Sequence, residues 1–182
     1  MASSRDRILD AYEDLLAVEG ERYATLDAVA ARAGVSKGGL LYHFPSKDRL
    51  AEALCDRLVT LAAQDVEQMR TAPEGPARHY VRTSAYVGSP LDRTLVAVAR
   101  LQQAGDVRAR SVIETVSGDW LDALHDTLGD LDVARAVKLI GDGLYYNALN
   151  SALGGYPAQT HDNDGLLAVI DRIINSAPTA DH

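Results

Sequence analysis

The residues from Thr25 to Lys47, TLDAVAARAGVSKGGLLYHFPSK, have the types and spacing of a helix-turn-helix. A short apolar-periodic segment reaches Gly34, and a second short segment begins at Lys37 and ends at Phe44. Gly34 can adopt the positive φ that a tight turn needs, and Ser36 can cap the helix that follows. The second helix of such a motif enters the DNA major groove. The chemistry expected here is therefore contact with bases and phosphates.

Other chemistry has little support in the sequence. The chain contains five histidines and one cysteine, Cys55. No histidine forms a metal-ligand spacing with another histidine or with Cys55. Neither G-x-S-x-G nor G-x-x-x-x-G-K-[ST] occurs, so acyl and phosphoryl transfer have no local motif. The sequence therefore predicts no catalytic residue, no metal, no cofactor and no enzymatic activity.

The overall charge does not by itself suggest a nucleic-acid partner. The 182 residues include 18 Lys and Arg against 26 Asp and Glu, a formal net charge of -8. Between positions 32 and 49 the net charge is positive. This stretch contains Arg32, Lys37, Lys47 and Arg49, and its only acid is Asp48. Local positive charge suits phosphate contacts, and an acidic remainder can restrain non-specific DNA binding. The motif, rather than the total charge, carries the prediction.

Length and composition indicate one large or two small globular domains. A single cysteine argues against an internal disulfide framework and suits a reducing compartment. The amino terminus has no apolar core of signal-peptide type, and no stretch approaches a membrane span. A cytoplasmic protein without a membrane partner is expected.

Helical periodicity predicts the elements that position the motif. Apolar residues recur at helical spacing from Ile8 to Leu16, with Ser3 or Ser4 as the starting cap and Gly20 at the end. Thr25 is a natural cap for the next helix. Three helices would then close a small core and leave Gly38, Gly39 and Tyr42 facing outwards. The predicted core consists of Ile8, Tyr12, Leu16, Val29, Leu40 and Phe44.

The sequence after the first three helices also has only helical patterns. A fourth helix from about Ser46 to Arg70 is followed by the break TAPEGP. Further helical segments are expected at 77–87, 91–103, 106–128, 132–153 and around 166–174, with Asp132 capping the fourth of these five. No segment alternates as a strand does. The prediction is an all-α fold of about nine helices.

The motif, followed by helices alone, resembles the TetR/AcrR family of bacterial transcriptional regulators. The resemblance is specific over the amino-terminal part, where the helix-turn-helix, the aromatic-His-Phe ending and the lysine after the turn occur in order. It implies a helix-turn-helix DNA-binding domain at residues 1–48. It also implies a helical ligand-binding and dimerisation domain at 49–182. The implied function is a homodimeric repressor that binds a pseudo-palindromic operator and releases it when a small organic molecule binds.

The resemblance also implies DNA-binding roles for individual residues. Thr25 corresponds to a phosphate-contacting residue at the start of the second helix. Leu41 departs from the family, where an aromatic residue with a hydroxyl is common, and Gly39 offers no side chain at a position that often contacts a base. The implied contacts on the leading and trailing parts of the recognition helix are Ser36, Lys37, Gly38, Gly39, Tyr42, His43 and Lys47.

In the carboxy-terminal part no single motif marks an effector site, and the candidate site is a set of aromatic and apolar residues on different helices. Trp120, the single tryptophan, is either a core residue or one wall of a pocket between helices. An aromatic-lined pocket suits a planar or cationic organic ligand. Met69, near the end of the fourth helix, either couples such a pocket to the DNA-binding domain or fills a gap. The other expected pocket residues are Tyr80, Tyr86, Leu124 and Tyr146.

An apolar face with small residues and an aliphatic last helix could be buried within a monomer, but the family resemblance and symmetry favour a two-fold interface in which these two helices meet their copies. These residues are Leu144, Tyr145, Ala148, Leu149, Ala152, Leu167, Ile170 and Ile174. The sequence thus predicts a dimeric, ligand-responsive transcriptional repressor. The alternative is a helical protein–protein interaction module that keeps the helix-turn-helix as a scaffold.

Overall fold

The computed structural model of the chain describes residues 3–153 and 164–176. Within these residues the chain forms nine α-helices and no strand, so the all-α prediction is confirmed. Over the same ranges, no helix combines the length and the apolar character needed to cross a bilayer. The helices are α1 Ser4–Val18, α2 Leu26–Ala33, α3 Lys37–His43, α4 Lys47–Arg70, α5 Pro76–Thr83, α6 Pro90–Gln103, α7 Val107–Leu128, α8 Leu131–Leu153 and α9 Asp164–Ser176.

The predicted caps of the first three helices are confirmed. The Ser3 hydroxyl accepts the N–H of Asp6 at the start of α1. The Thr25 and Ser36 hydroxyls accept N–H groups three residues later, at 3.2 Å and 3.0 Å. Gly34 ends α2 with φ +65°, a conformation that costs glycine little and other residues roughly 1–2 kcal/mol. These local signals fix the lengths of α2 and α3.

The described residues divide into two compact units. The first unit takes the residues up to Ala62 together with Gly88–Val116. The second unit takes Ala63–Val87 together with the described residues from Ser117 onward. Helices α4 and α7 contribute residues to both units. The division into a DNA-binding part at 1–48 and a regulatory part at 49–182 concerns function and stays a prediction.

The predicted core of the first three helices is buried in the first unit. The Arg5 guanidinium lies 5.0 Å from the centre of the Phe44 ring, which adds a cation–π contact at the edge of this core. Burial of each large aliphatic side chain contributes roughly 1.5–3 kcal/mol, so this small core can hold the three helices in place. The exposed fraction is 0% for Ile8, Tyr12, Leu16, Val29 and Leu40 and 2% for Phe44.

A buried carboxylate joins α1 to α4 and α6 in the first unit. Glu13 is only 4% exposed. The Thr94 hydroxyl donates to it at 2.7 Å, and the Arg57 guanidinium donates at 3.1 Å. A buried charge is tolerated when it is paired and hydrogen-bonded in this way. The network fixes α1, against which α2 and α3 pack.

The second unit has an aliphatic core with one close helix contact. Helix α5 packs against α8 and α9. Gly141 of α8 allows this contact, because a Cβ atom there would lie 2.5 Å from the Tyr80 ring and 2.7 Å from the Ser84 hydroxyl. The most deeply buried core residues include Met69, Val81, Ala123, Leu124, Ala134, Val137 and Ile170.

The helix predicted at 77–87 is shorter than expected and ends at Thr83. The Ser84 hydroxyl donates to the Tyr80 carbonyl at 2.6 Å, and the Thr83 hydroxyl donates to the His79 carbonyl at 2.8 Å. Hydroxyls that bond to carbonyls four residues earlier compete with the helical N–H groups. Gly88 is the next glycine in the sequence and was therefore expected to end the helix. The competition from the two hydroxyls ends it earlier.

The prediction that Asp132 caps α8 is wrong by two residues. Gly129 adopts φ +71° after α7, which places Asp130 directly at the next helix start. One Asp130 carboxylate oxygen accepts the N–H groups of Asp132 and Val133, at 2.9 Å and 3.0 Å. Asp130 is therefore the cap, and the connection between α7 and α8 is tighter than expected.

Candidate nucleic-acid interface

Helix α3 is anchored on one side and open on the other. Leu40 and Phe44 are buried, and they hold the helix on the core of the first unit. Tyr42 is 84% exposed, and Lys37 and Gly38 are exposed as well. The predicted outward face of α3 is therefore present. A short helix held by its inner side chains and free along its outer side has the geometry required to enter a groove.

Gly39 is half-buried, and its lack of a side chain has a local packing role. A Cβ atom at this position would lie 3.3 Å from the Ser36 hydroxyl oxygen, which is a tight approach. That hydroxyl accepts the Gly39 N–H as the cap of α3. At Gly38, by contrast, an added Cβ would meet open space. Of the two glycines, Gly38 offers the unobstructed backbone approach.

Two hydroxyls and two rings complete the exposed surface. Thr25 and Ser36 are exposed while they cap α2 and α3. The Tyr42 and His43 rings meet edge to face with their centres 5.1 Å apart, and His43 is half-buried. Aromatic pairs of this geometry restrict one another, so His43 helps to orient Tyr42. Leu41 is 37% exposed, which leaves part of its side chain available for an apolar contact.

The four cations that the sequence places around the motif each have a carboxylate partner within the chain. The Lys37 ammonium lies 3.0 Å from an Asp27 oxygen, with side chains 57% and 73% exposed. The Lys47 ammonium lies 2.7 Å from a Glu21 oxygen and 2.8 Å from the Glu21 carbonyl. Arg32 pairs with Glu19, and Arg49 pairs with Glu52. A phosphate would therefore have to displace an internal partner at each of these cations.

Sequence patterns do not indicate that Asp27 and Glu21 pair with the predicted DNA-binding lysines. Asp27 precedes Lys37 by 10 residues and Glu21 precedes Lys47 by 26, so no helical i,i+4 spacing links either pair. The position of Lys47 in the first turn of α4 is unfavourable for a cation. Glu21 accounts for that position without a phosphate. An uncompensated cation at a helix start was the one signal that could have prompted a search for a partner.

The predicted effector residues are only partly brought together in the second unit. Met69, Tyr80 and Leu124 lie in its core, and the Trp120 ring lies 6.4 Å from the Tyr80 ring. The Trp120 indole N–H donates to Asp65 at 2.9 Å. Of the two other rings, Tyr86 packs against Tyr145 at 6.3 Å and Tyr146 is 64% exposed. Trp120 is thus a half-buried residue at the margin of the core.

A groove of about 320 Å³ lies between α7 and α8 in the second unit. Its lining includes Leu121, Lys138 and Asp142. Asp142 accepts the hydroxyl of Tyr80 at 2.6 Å and pairs with Lys138 at 2.6 Å. Burial, followed by this hydrogen bond, raises the pKa of Tyr80 far above its ordinary value. The phenol therefore stays protonated and keeps Asp142 oriented at the groove.

The predicted dimer residues differ in their exposure within one chain. Leu167 and Ile170 of α9 are buried in the core of the second unit, so their side chains already pack within their own chain. Leu144 and Ile174 pack against the same core but remain half-buried. Tyr145, Ala148 and Leu149 are also half-buried, and Ala152 is exposed. Two large apolar side chains of α8, Leu139 and Tyr146, are 71% and 64% exposed.

The fold and the exposed α3 define a helical protein with an amino-terminal helix-turn-helix. Residues 8–54 match the family model described as bacterial regulatory proteins, tetR family. The chain is also 32% identical over 100 residues to the HTH-type transcriptional regulator BetI of Klebsiella pneumoniae (strain 342), covering 54% of this chain and 50% of BetI. The chain thus matches about half the length of this curated relative.

Solved structures share the fold over nearly the whole chain. The transcriptional regulator SCO7518 of Streptomyces coelicolor A3(2) has a TM-score of 0.68 at 24% identity, over 96% of this chain and 100% of that chain. NalD, the secondary repressor of the MexAB-OprM multidrug efflux pump in Pseudomonas aeruginosa, has a TM-score of 0.64 at 19% identity, over 93% and 94%. Residues 8–54 thus carry the sequence of the tetR family of bacterial regulatory proteins, and the chain shares the helical fold of these solved structures.

Proposed function

We propose that the chain is a transcriptional regulator that binds double-stranded operator DNA through α2 and α3. The observation that carries the proposal is the free outer side of α3, where Tyr42 is 84% exposed while Leu40 beneath it is fully buried. In the bound state Lys37 and Tyr42 contact bases or phosphates, Gly38 lets the backbone approach, and the Thr25 hydroxyl contacts a phosphate. The match of residues 8–54 to the tetR family supports this assignment.

We further propose that the regulator is a homodimeric repressor on a pseudo-palindromic site. Two copies of α3 then occupy successive major grooves, about 34–36 Å apart or slightly more. The contact lies on α8 and α9, as the sequence suggests. Leu167 and Ile170 support it from the core, while Tyr145, Ala148 and Leu149 retain accessible surface. NalD, which shares the fold, is itself described as a repressor.

The effector of this regulator is proposed to bind in the second unit beside Trp120. The α7–α8 groove supports this location, because Asp142 lines the groove and is bonded to Tyr80, which faces Trp120. A cationic group would replace Lys138 as the partner of Asp142, and the neighbouring rings suit a planar group. Met69 and Leu124 belong to the same core. Release of DNA requires that the effector bind the DNA-incompetent state more tightly than the competent one.

The test is a pair of double variants titrated against labelled DNA from the region upstream of the chain's own gene. Lys37→Ala with Tyr42→Ala removes two exposed side chains of α3, so the fold is retained. At about 1 kcal/mol for each contact, the affinity falls about 30-fold for each bound protomer, and further when both protomers of a dimer are bound. Val107→Ala with Arg110→Ala also removes a cation and an exposed apolar side chain of the first unit, and it serves as the matched control.

Fluorescence anisotropy at fixed moderate salt measures both variants, and circular dichroism checks that they are folded. The control variant is expected to bind as the unmodified chain does. Full affinity in the Lys37, Tyr42 double variant would refute the docking of α3. An equal loss in both double variants would show that the affinity reflects general charge and not this helix.

A further inference from the structure

The first unit contains another groove, whose lining includes Lys47 but none of the other predicted DNA contacts. It is about 310 Å³ in volume, near the lower end of the range found for small-molecule sites. It lies where α1, the first turns of α4 and the connection between α6 and α7 meet, all within the first unit. Its lining combines one tyrosine, three carboxylates and one lysine with small apolar side chains.

Tyr12 forms the inner wall of this groove and has an unsatisfied hydroxyl. Its side chain is 0% exposed, and its hydroxyl oxygen has no hydrogen-bond partner in the part of the chain that the structure describes. A buried hydroxyl without a partner costs roughly 1–3 kcal/mol. An apolar ring alone would fill the core equally well. A polar group placed next to the hydroxyl in the groove would remove this cost.

The charges around this hydroxyl are predominantly negative. Glu21 is neutralised by Lys47 at 2.7 Å. Asp48 and Asp106 form no ion pair within the described residues, so two negative charges remain uncompensated. One oxygen of Asp106 accepts the N–H of Ala109 at 2.8 Å, which leaves the other oxygen available.

Burial, and then the charges of Glu21 and Asp106 with a smaller contribution from Asp48, raise the pKa of Tyr12 far above its ordinary value. The phenol is consequently neutral and can accept a hydrogen bond from a cation.

The polar groups of the groove favour an organic cation over a metal ion. Among the described residues, no three His, Cys, Asp or Glu side chains are close enough to hold one metal ion. Ala51, Leu101 and Ala104 supply apolar walls between the polar groups, which suits a methylene chain. We propose that this groove binds an alkyl diammonium cation, with its two ammonium groups at Asp48 and Asp106 and with one of them bonded to the Tyr12 hydroxyl.

This site is separate from the effector site proposed in the second unit, and its binding test does not involve DNA. Failure of the DNA-binding proposal would leave the test unchanged. Lys47 also lines the groove, where it stays paired with Glu21, so the proposed dication binds Asp48 and Asp106 without displacing Lys47.

Isothermal titration of the full chain with 1,4-diaminobutane tests the proposal directly. Binding in the millimolar range or tighter is expected, with 1-aminobutane about tenfold weaker because it carries one charge. Tyr12→Phe keeps the buried ring and is expected to bind about fivefold more weakly. Asp48→Asn and Asp106→Asn are each expected to weaken binding about tenfold, and Asn at position 106 keeps the cap acceptor. Asp14→Asn removes an exposed carboxylate of α1 that does not line the groove, and it is the matched control.

Three results would overturn the proposal. The first is no binding to the unmodified chain at about 10 mM diamine. The second is an unchanged affinity in folded Tyr12→Phe. The third is a loss in Asp14→Asn as large as that in Asp48→Asn, which would show only general attraction of a cation to an acidic protein. Because Asp48 is exposed, its variant provides a test even if a change at Tyr12 disturbs the core.

Discussion

Replacement of Asp27 by asparagine is expected to strengthen DNA binding. Asp27 holds the Lys37 ammonium at 3.0 Å, and both side chains are more than half exposed. Such a pair contributes about 0.2–1 kcal/mol, and Lys37 must give it up to contact a phosphate. Without the pair, DNA affinity rises between about 1.5-fold and fivefold. Removal of one acid near the phosphates acts in the same direction and is screened by salt.

The stability of the fold is expected to change in the opposite direction. Asp27 lies in the first turn of α2, where a negative charge interacts favourably with the helix dipole. Its loss costs roughly 0.3–1 kcal/mol at low salt. A variant that binds DNA more tightly while melting at a slightly lower temperature cannot owe its affinity to a more stable fold. The opposite changes in DNA affinity and in stability therefore distinguish an electrostatic effect on binding from a general effect on the fold.

A double-mutant cycle with Lys37→Ala shows whether the effect passes through Lys37. Anisotropy titrations with the same duplex at low and moderate salt give the four affinities. The gain from Asp27→Asn should be largely lost when Lys37 is already alanine. Asp132→Asn, which removes a 90% exposed acid of the second unit, controls for net charge.

An Asp27→Asn affinity equal to or below that of the unmodified chain would refute the competition between Asp27 and phosphate. So would a gain of the same size in the Lys37→Ala background.

Three further outcomes follow from the packing. Gly34→Ala should lower the stability of the first unit by roughly 1–2 kcal/mol because of its φ of +65°, whereas Gly38→Ala, helical and unobstructed, should raise it by about 1 kcal/mol in thermal melts. Gly141→Ala should cost roughly 1–3 kcal/mol through contact with the Tyr80 ring, whereas Gly143→Ala should be neutral or stabilising; equal effects would contradict the packing. Cys55 is 1% exposed and burial raises its pKa to about 11, so Ellman's reagent at pH 8 should react with it only after denaturation.

The local part of the fold could be predicted because its signals are close together in sequence. Caps at Thr25 and Ser36, the positive φ at Gly34 and the apolar spacing around Leu40 each act within one or two helical turns. These signals agree with one another, and such agreement makes a prediction robust. The exposed side of α3 followed from the same spacing. Fewer local signals marked the end of α5, where hydroxyl groups and not a glycine terminate the helix.

Contacts between distant residues could not be predicted in this way. The partner of Lys47 is 26 residues away, and the partner of Trp120 is 55 residues away. Tyr12 was predicted as a core residue, which its ring is, but the periodicity of α1 carries no information about where its hydroxyl points. Likewise, the apolar spacing of α9 does not distinguish a side chain buried in its own chain from one that contacts a second copy. These distinctions depend on packing between elements.

The paired cations explain how an acidic chain can serve as a DNA-binding regulator. Counterion release from DNA drives non-specific binding in proportion to the phosphates that a protein neutralises. When Lys37 or Lys47 exchanges a carboxylate for a phosphate, the freed carboxylate takes up counterions and offsets part of that release. In the proposed complex we therefore expect low non-specific affinity, with hydrogen bonds from Tyr42 and from the hydroxyls of Thr25 and Ser36 providing a larger share of specific binding. Such bonds lose strength within about an ångström of misplacement. The proposal therefore predicts that a small displacement of α3 is enough to release the DNA.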